Sequence, residues 1–479
     1  MKNKMIIMLF LLLAVAAEAK VKMPAMFSDG AVLQQQSNVE IWGWTDAKKT
    51  VAVTTSWNNK NYLLKADDNG KFTAKIITPK AGGPYEIRIN DSEHIIKNIL
   101  IGEVWLCAGQ SNMEMPMKGF SGQPVEGSNI DIMKSKNNMI RVISVPRASK
   151  TTPQDDFEGA WQEAKPEVIR EFSATAYYYG RLLNEMLNVP IGLIDVSFGG
   201  SCIQAWMSKE TSRPFEWRNV PNAGDTIPEA NRTPTVLFNG MLNPVIGYGI
   251  KGAIWYQGET NYVEPDAYED YLFPTAVAEW RKKWGIGEFP FFFAQIAPFD
   301  YSVFTPKEYN EKYNSAFLRD AQRKCVDKIP NSDMIVLMDV GLKDCIHPSN
   351  KKVGGERFAM KVLNKIYGLE GFTSGSPTFK ALEIKGSSVV VAFDDAEMGL
   401  TSFGKETTGF MVAGENKVFY PAHAHLRAKS VVVSSPHVEK PVAVRYCFED
   451  FCVPSLFGTN GIPVSSFRTD DWDGAVMVK

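Results

Sequence analysis

Val104-Trp105-Leu106-Cys107-Ala108-Gly109-Gln110-Ser111-Asn112-Met113-Glu114-Met115 decides how this chain folds. Its first five residues form an unbroken apolar run of strand length, the pattern of a strand buried on both faces. Gly109 permits a sharp turn, and Ser111 stands just past the strand with a helix expected after it. Ile191 to Val196, Ala253 to Tyr256, Phe291 to Ile296 and Met334 to Val340 repeat the strand pattern. Segments of helical period separate these runs. In one of them Tyr268, Leu272, Ala276, Trp280 and Trp284 recur every fourth residue, and Gly285 ends the run as a C-cap. Strands alternating with helices predict an α/β domain over residues 101–370, its mostly parallel sheet covered on both faces. Ligands gather at the carboxyl ends of such strands, and the free N–H groups of a helix start there face a developing oxyanion.

The texture differs on either side of this domain. Residues 20–100 hold short β-branched and aromatic runs (Val39 to Trp44, Thr50 to Trp57, Phe72 to Ile77, Tyr85 to Ile89), broken by Gly, Asn and Asp, which predict a small antiparallel β domain. Residues 371–479 return to strands and predict a second β-rich region. Residues 1–19 read as a signal peptide: Lys2 and Lys4 precede the apolar run Met5 to Ala17, which ends in Ala17-Glu18-Ala19. The run is shorter than the roughly 20 residues that span a bilayer. Cleavage after Ala19, export to the periplasm or the medium, and no membrane attachment afterwards are the expectation. Lys plus Arg number 52 against 54 Asp plus Glu, and neither sign forms a run of five or six, so nucleic acid is not an expected partner. Cys447 and Cys452 are close enough in the chain to pair, and none of the six cysteines has the paired C-x-x-C spacing of a zinc site.

A serine is a weak nucleophile at neutral pH and needs a base, for which imidazole is suited. The chain has five histidines. His94 falls in the N-terminal β region, and His423, His425 and His437 fall in the C-terminal one. His347 alone follows the last expected strand of the α/β domain, in Asp344-Cys345-Ile346-His347-Pro348, and so returns to the edge that carries Ser111. Asp344, three residues earlier, is placed to accept the imidazole Nδ1–H. Phe198-Gly199-Gly200-Ser201 ends another strand, and its glycines let a backbone N–H approach a carbonyl oxygen. Tyr256-Gln257-Gly258-Glu259-Thr260-Asn261 ends a third. There Gln257 or Asn261 offers a further amide to an oxyanion, and Glu259 either orients a sugar hydroxyl or braces the loop. Asn112 and Glu114 either line the pocket beside the serine or brace the nucleophile turn, and Trp206 or Tyr256 is either a stacking platform for a ligand or core.

These stretches, Gly-Gln-Ser111-Asn-Met-Glu-Met, Gly199-Gly200-Ser201, Trp-Tyr-Gln257-Gly-Glu-Thr-Asn261 and Asp344-x-x-His347, resemble in their order the sialate O-acetylesterase family of the SGNH hydrolases. Arg319, Gln322 and the closing Ser466 to Trp472 share the resemblance. It implies a flavodoxin-like three-layer α/β/α hydrolase domain with flanking β-rich regions, acting without metal or cofactor. It also implies a triad of Ser111, His347 and Asp344, and an oxyanion hole from the Ser111 and Gly200 amides plus a side-chain amide. Typical SGNH enzymes supply that amide from an Asn within Gly-x-Asn-Asp; the resemblance puts Gln257 at the equivalent position, a departure shared with the sialate-esterase branch, and so ranks Gln257 above Asn261. Asn112, Glu259 and Asn261 are the expected substrate contacts. The implied activity is removal of O-acetyl groups from carbohydrate, O-acetylated sialic acid foremost. Acetylated xylan or another polysaccharide is the alternative substrate, and a non-catalytic carbohydrate-binding protein the distant alternative.

Overall fold

The computed structural model describes residues 20–91, 93–212, 219–304 and 314–478. The signal-peptide expectation for residues 1–19 lies outside the described residues. Six strands carry the central sheet: β1 (His94–Gly109), β2 (Asn137–Ser144), β3 (Ile191–Ser197), β4 (Gly252–Tyr256), β5 (Phe291–Ala294) and β6 (Ser332–Ile335). They lie in the order β6-β5-β4-β1-β3-β2, every neighbouring pair parallel. With β2 set aside as an outer addition, the remaining strands follow the flavodoxin-like order 2-1-3-4-5. Its switch point lies between β1 and β4. The run expected to continue to Val340 stops pairing at Ile335, and the chain then turns.

The sheet is apolar on both faces, as period two requires of a strand covered on each side. Trp105 and Cys107 of β1 join one core with α2 (Ala174–Leu187) and α5 (Lys351–Lys365), through Tyr179, Leu183, Phe358 and Val362. Leu106 and Ala108 join the other, with Trp280 and Trp284 of α3 (Phe273–Trp284) and Leu318 of α4 (Ser315–Lys328). This is the three-layer architecture expected. Gly285 caps α3 in the left-handed conformation at φ 66°, where a side chain is disfavoured.

The N-terminal β region is joined to this sheet rather than set beside it. β1 pairs its first half antiparallel with Gly82–Ile89 and parallel with Val32–Gln34, and its second half with β3 and β4. The expected boundary at residues 100 and 101 therefore falls inside one strand. Buried Glu103 knots the junction, accepting from Gln34 Nε2 at 3.0 Å, Gln35 Nε2 at 2.6 Å and the Tyr367 hydroxyl at 2.8 Å. The C-terminal region forms a four-stranded and a five-stranded sheet of its own. Fully buried Arg319 of α4 tethers it by donating to the carbonyls of Cys447 and Glu449, and Cys447 forms a disulfide with Cys452.

Candidate active site

Each residue of the Gly109 to Glu114 turn has a separate duty. Gly109 holds φ at 149°, and a Cβ there would sit 2.1 Å from the Tyr256 carbonyl oxygen, so only glycine lets β1 turn against β4. The Gln110 side-chain oxygen accepts from the amides of Gly258 at 3.3 Å and Thr260 at 3.4 Å, fixing the loop after β4. Ser111 opens a helix of one turn, α1 (Ser111–Glu114). Among the described residues its hydroxyl and its backbone N–H have no hydrogen-bond partner. Glu114 accepts from the Gly199 amide at 2.8 Å and pairs with Arg147.

Asn112 is buried and does not reach the cleft, correcting its expected role as a substrate contact. It is a hub. Its Nδ2 donates to Glu259 at 2.5 Å and to the Ile346 carbonyl at 3.1 Å, and its Oδ1 accepts from the Lys351 ammonium. One side chain thereby ties the nucleophile turn to the loops after β4 and β6. Burial raises the Glu259 pKa, against the Asn112 hydrogen bond. Burial lowers Lys351 to about 7, and Glu259 opposes this. The other carboxylate oxygen of Glu259 is buried without a hydrogen bond among the described residues.

His347 lies on the loop after β6, half-buried, and burial with the nearby Lys351 charge lowers its pKa to about 4. It is therefore neutral and can accept a proton. Its Nδ1 meets Gln123 Oε1 at 2.5 Å, and its ring packs edge-on to Phe120 with centroids 5.2 Å apart. The expected pairing with Asp344 is not formed: that carboxylate is exposed, in a turn closed by the Leu342–Cys345 bridge.

Ser111, His347, Gly199, Gly200 and Glu259 line one cleft of about 910 Å³. Gly199 presses against the nucleophile, since a Cβ on it would lie 3.3 Å from Ser111 Cβ. The Gly200 amide, like that of Ser111, has no acceptor among the described residues. The side-chain amides ranked for the oxyanion hole are elsewhere. Gln257 is wholly buried and spends its Nε2 on the Ser201 carbonyl at 3.2 Å and Asn261 Oδ1 at 2.7 Å. Asn261 donates in turn to Gln204 at 3.0 Å. Neither lines the cleft, so both are corrected from oxyanion and substrate contacts to struts under it. Trp206 and Tyr256 are core. Gln322 buttresses the Gln257 carbonyl from α4 at 3.0 Å.

Sequence reasoning did not single out Gln123, Arg147, Arg232 or Lys351. The one local signal was the pair of glycines around Gln123, Gly119 and Gly122, which mark a tight turn soon after the nucleophile. Arg147 and Arg232 edge the glycine side of the cleft, while Tyr262, Val263, Tyr301 and Phe304 form an apolar wall opposite in character.

A sheet of this order, with its carboxyl edge turned to a serine and a neutral imidazole, defines the class as an SGNH-like α/β/α hydrolase. Residues 101–364 match the family of carbohydrate esterases described as sialic acid-specific acetylesterases, and the chain belongs to that family. It is a carbohydrate O-acetylesterase. The sialate O-acetylesterase of Homo sapiens is 27% identical over 389 residues, covering 74% of this chain and 73% of that one. The Rattus norvegicus sialate O-acetylesterase is 28% identical over 418 residues, covering 74% and 75%. The solved structure of a carbohydrate acetylesterase from Xanthomonas citri matches with a TM-score of 0.85 and 32% identity, covering 94% of this chain and 100% of that one.

Proposed function

We propose that the chain is an exported enzyme that deacetylates O-acetylated sialic acid through an acetyl-enzyme formed on Ser111, with His347 as the base. The observation that carries this reading is the meeting in one cleft of the Ser111 hydroxyl, the neutral His347 ring and the amides of Ser111 and Gly200, which have no acceptor among the described residues. Ser111 Oγ attacks the acetyl carbonyl as His347 Nε2 takes its proton, and the two amides hold the oxyanion. Collapse breaks the ester bond, and His347 passes the proton to the departing sugar oxygen. Water then attacks the acetyl-serine, gives a proton to His347, and leaves acetate and the restored hydroxyl. The charge of Arg232, exposed at the cleft edge without a salt-bridge partner among the described residues, favours an acidic sugar over neutral xylan.

The test is acetate release from O-acetylated sialic acid and from acetylated xylan, side by side. Ser111→Ala should abolish turnover down to the roughly thousandfold residual acceleration that binding and oxyanion donors sustain. Retained activity would exclude the serine mechanism. Faster release from xylan would move the substrate to neutral polysaccharide. Export is tested by the mature N-terminus, expected at Lys20.

A further inference from the structure

We propose that Gln123 is the positioning residue of the catalytic imidazole, a neutral amide doing the task expected of Asp344. This rests on the Ser111 and His347 reading above. Gln123 Oε1 lies 2.5 Å from His347 Nδ1. An amide oxygen only accepts, so Nδ1 carries the hydrogen and the lone pair sits on Nε2, the tautomer a base facing a serine requires.

The segment that presents Gln123 is built around this contact. Phe120 and Gln123 exchange both backbone N–H···O=C bonds, each 3.0 Å, closing a tight hairpin. Gly119 and Gly122 take φ of 82° and 72°, and a Cβ on Gly119 would meet the Gln123 carbonyl oxygen at 2.4 Å. The same hairpin applies the Phe120 ring to the imidazole. Its exit is fastened to the base loop, with the Glu126 amide donating to the Ser349 carbonyl at 2.9 Å. Two side chains of one short turn thus fix both the tautomer and the plane of the ring.

An amide suits the charges around that ring. Lys351 faces it from α5, Glu259 is joined to Lys351 through Asn112, Cys345 shares its loop, and the Glu114–Arg147 pair lies across the cleft. A carboxylate on Nδ1 would favour the imidazolium, whereas a neutral acceptor orients the ring and leaves it unprotonated.

The experiment measures kcat and KM for acetate release across pH, using the full chain and Gln123→Ala, Gln123→Glu, Asp344→Ala and Ser111→Ala. Gln123→Ala should lose about a hundredfold in kcat with KM little changed, the cost of a misplaced catalytic group. Gln123→Glu should recover most of kcat while shifting the acid limb of kcat/KM to higher pH, a signature that a purely structural role would not produce. Asp344→Ala should stay close to the parent. The proposal is overturned if Asp344→Ala is as inactive as Ser111→Ala while Gln123→Ala is near normal, or if the acid limb of Gln123→Glu does not move. Should Gln123→Ala fail to fold, the limb of Gln123→Glu decides alone. An active Ser111→Ala would instead defeat the serine mechanism itself, leaving the two failures distinct.

Discussion

The two halves of the reacting pair reach the same cleft by opposite constructions. Ser111 rides on the end of a sixteen-residue strand and a turn in which Gln110 grips the loop after β4, Asn112 the loops after β4 and β6, and Glu114 the loop after β3. His347 rides on a loop with no regular structure of its own, and its ring is held from outside by Gln123 and Phe120. The nucleophile is positioned by its own chain neighbours, the base by a hairpin more than two hundred residues away. The serine is held from within its own turn and the imidazole from outside its loop, and both must stay aligned because the proton carrier faces two oxygens in succession.

Cutting the hub should erase this difference most completely. Asn112→Ala frees both loops at once, and is expected to lower kcat at least a hundredfold. It also strands Lys351 and Glu259, at a cost of about 2–3 kcal/mol in denaturant unfolding. Intact kcat in that variant would show that the hub only supports the fold.

Next in size is an effect on the base alone. With the His347 pKa near 4, kcat/KM of the parent should hold well into acid and fall only as pH drops through about 4, where the imidazole gains a proton. Lys351 lowers that value, so Lys351→Met should raise it and move the fall to higher pH, as read from a pH–rate profile. A fall that stays in place would remove Lys351 from the electrostatics of the base.

Gln257→Met separates strut from oxyanion donor. The geometry expects about 1–3 kcal/mol of destabilisation from the orphaned Ser201 carbonyl and Asn261. Turnover per folded molecule should change little, where loss of an oxyanion donor would cost about a hundredfold to a thousandfold. The smallest effect belongs to Arg232→Gln, about fivefold in kcat/KM on an acidic acetylated sugar, the size of one exposed ion-pair contact. Its kcat/KM on a neutral acetylated sugar should not change. Equal losses on both would assign Arg232 to shaping the Gly200 turn.

Much of this arrangement was readable along the chain. Period and length sufficed for the trailing half of β1 and for β3, β4 and β5, and a single glycine marked the end of α3. Elimination among the histidines reached His347, because position in the strand order is a local property. β2 went unread, since Asn137 and Asn138 open it and Arg141 interrupts its apolar run, an arginine that buries its stem while pairing with Glu163. Side-chain direction was the harder matter. Gln257 stands where the motif places it, yet whether its amide faces the cleft or the core depends on Ser201, Asn261 and Tyr268, each on a different segment. The Gln123 contact was beyond reach for the same reason: nothing near Gln123 in sequence names its partner.

The long strand β1 has a consequence for how the chain could be divided. Its leading half completes the N-terminal β sheet and its trailing half delivers Ser111, so a cut at residue 101 would remove half of one continuous hydrogen-bonded ribbon. Glu103, just beyond that point, would lose the two glutamine amides that donate to its buried carboxyl oxygens. The hydrolase layer is thus not a transplantable cassette: whatever unravels the leading sheet slackens the rail on which the nucleophile is mounted.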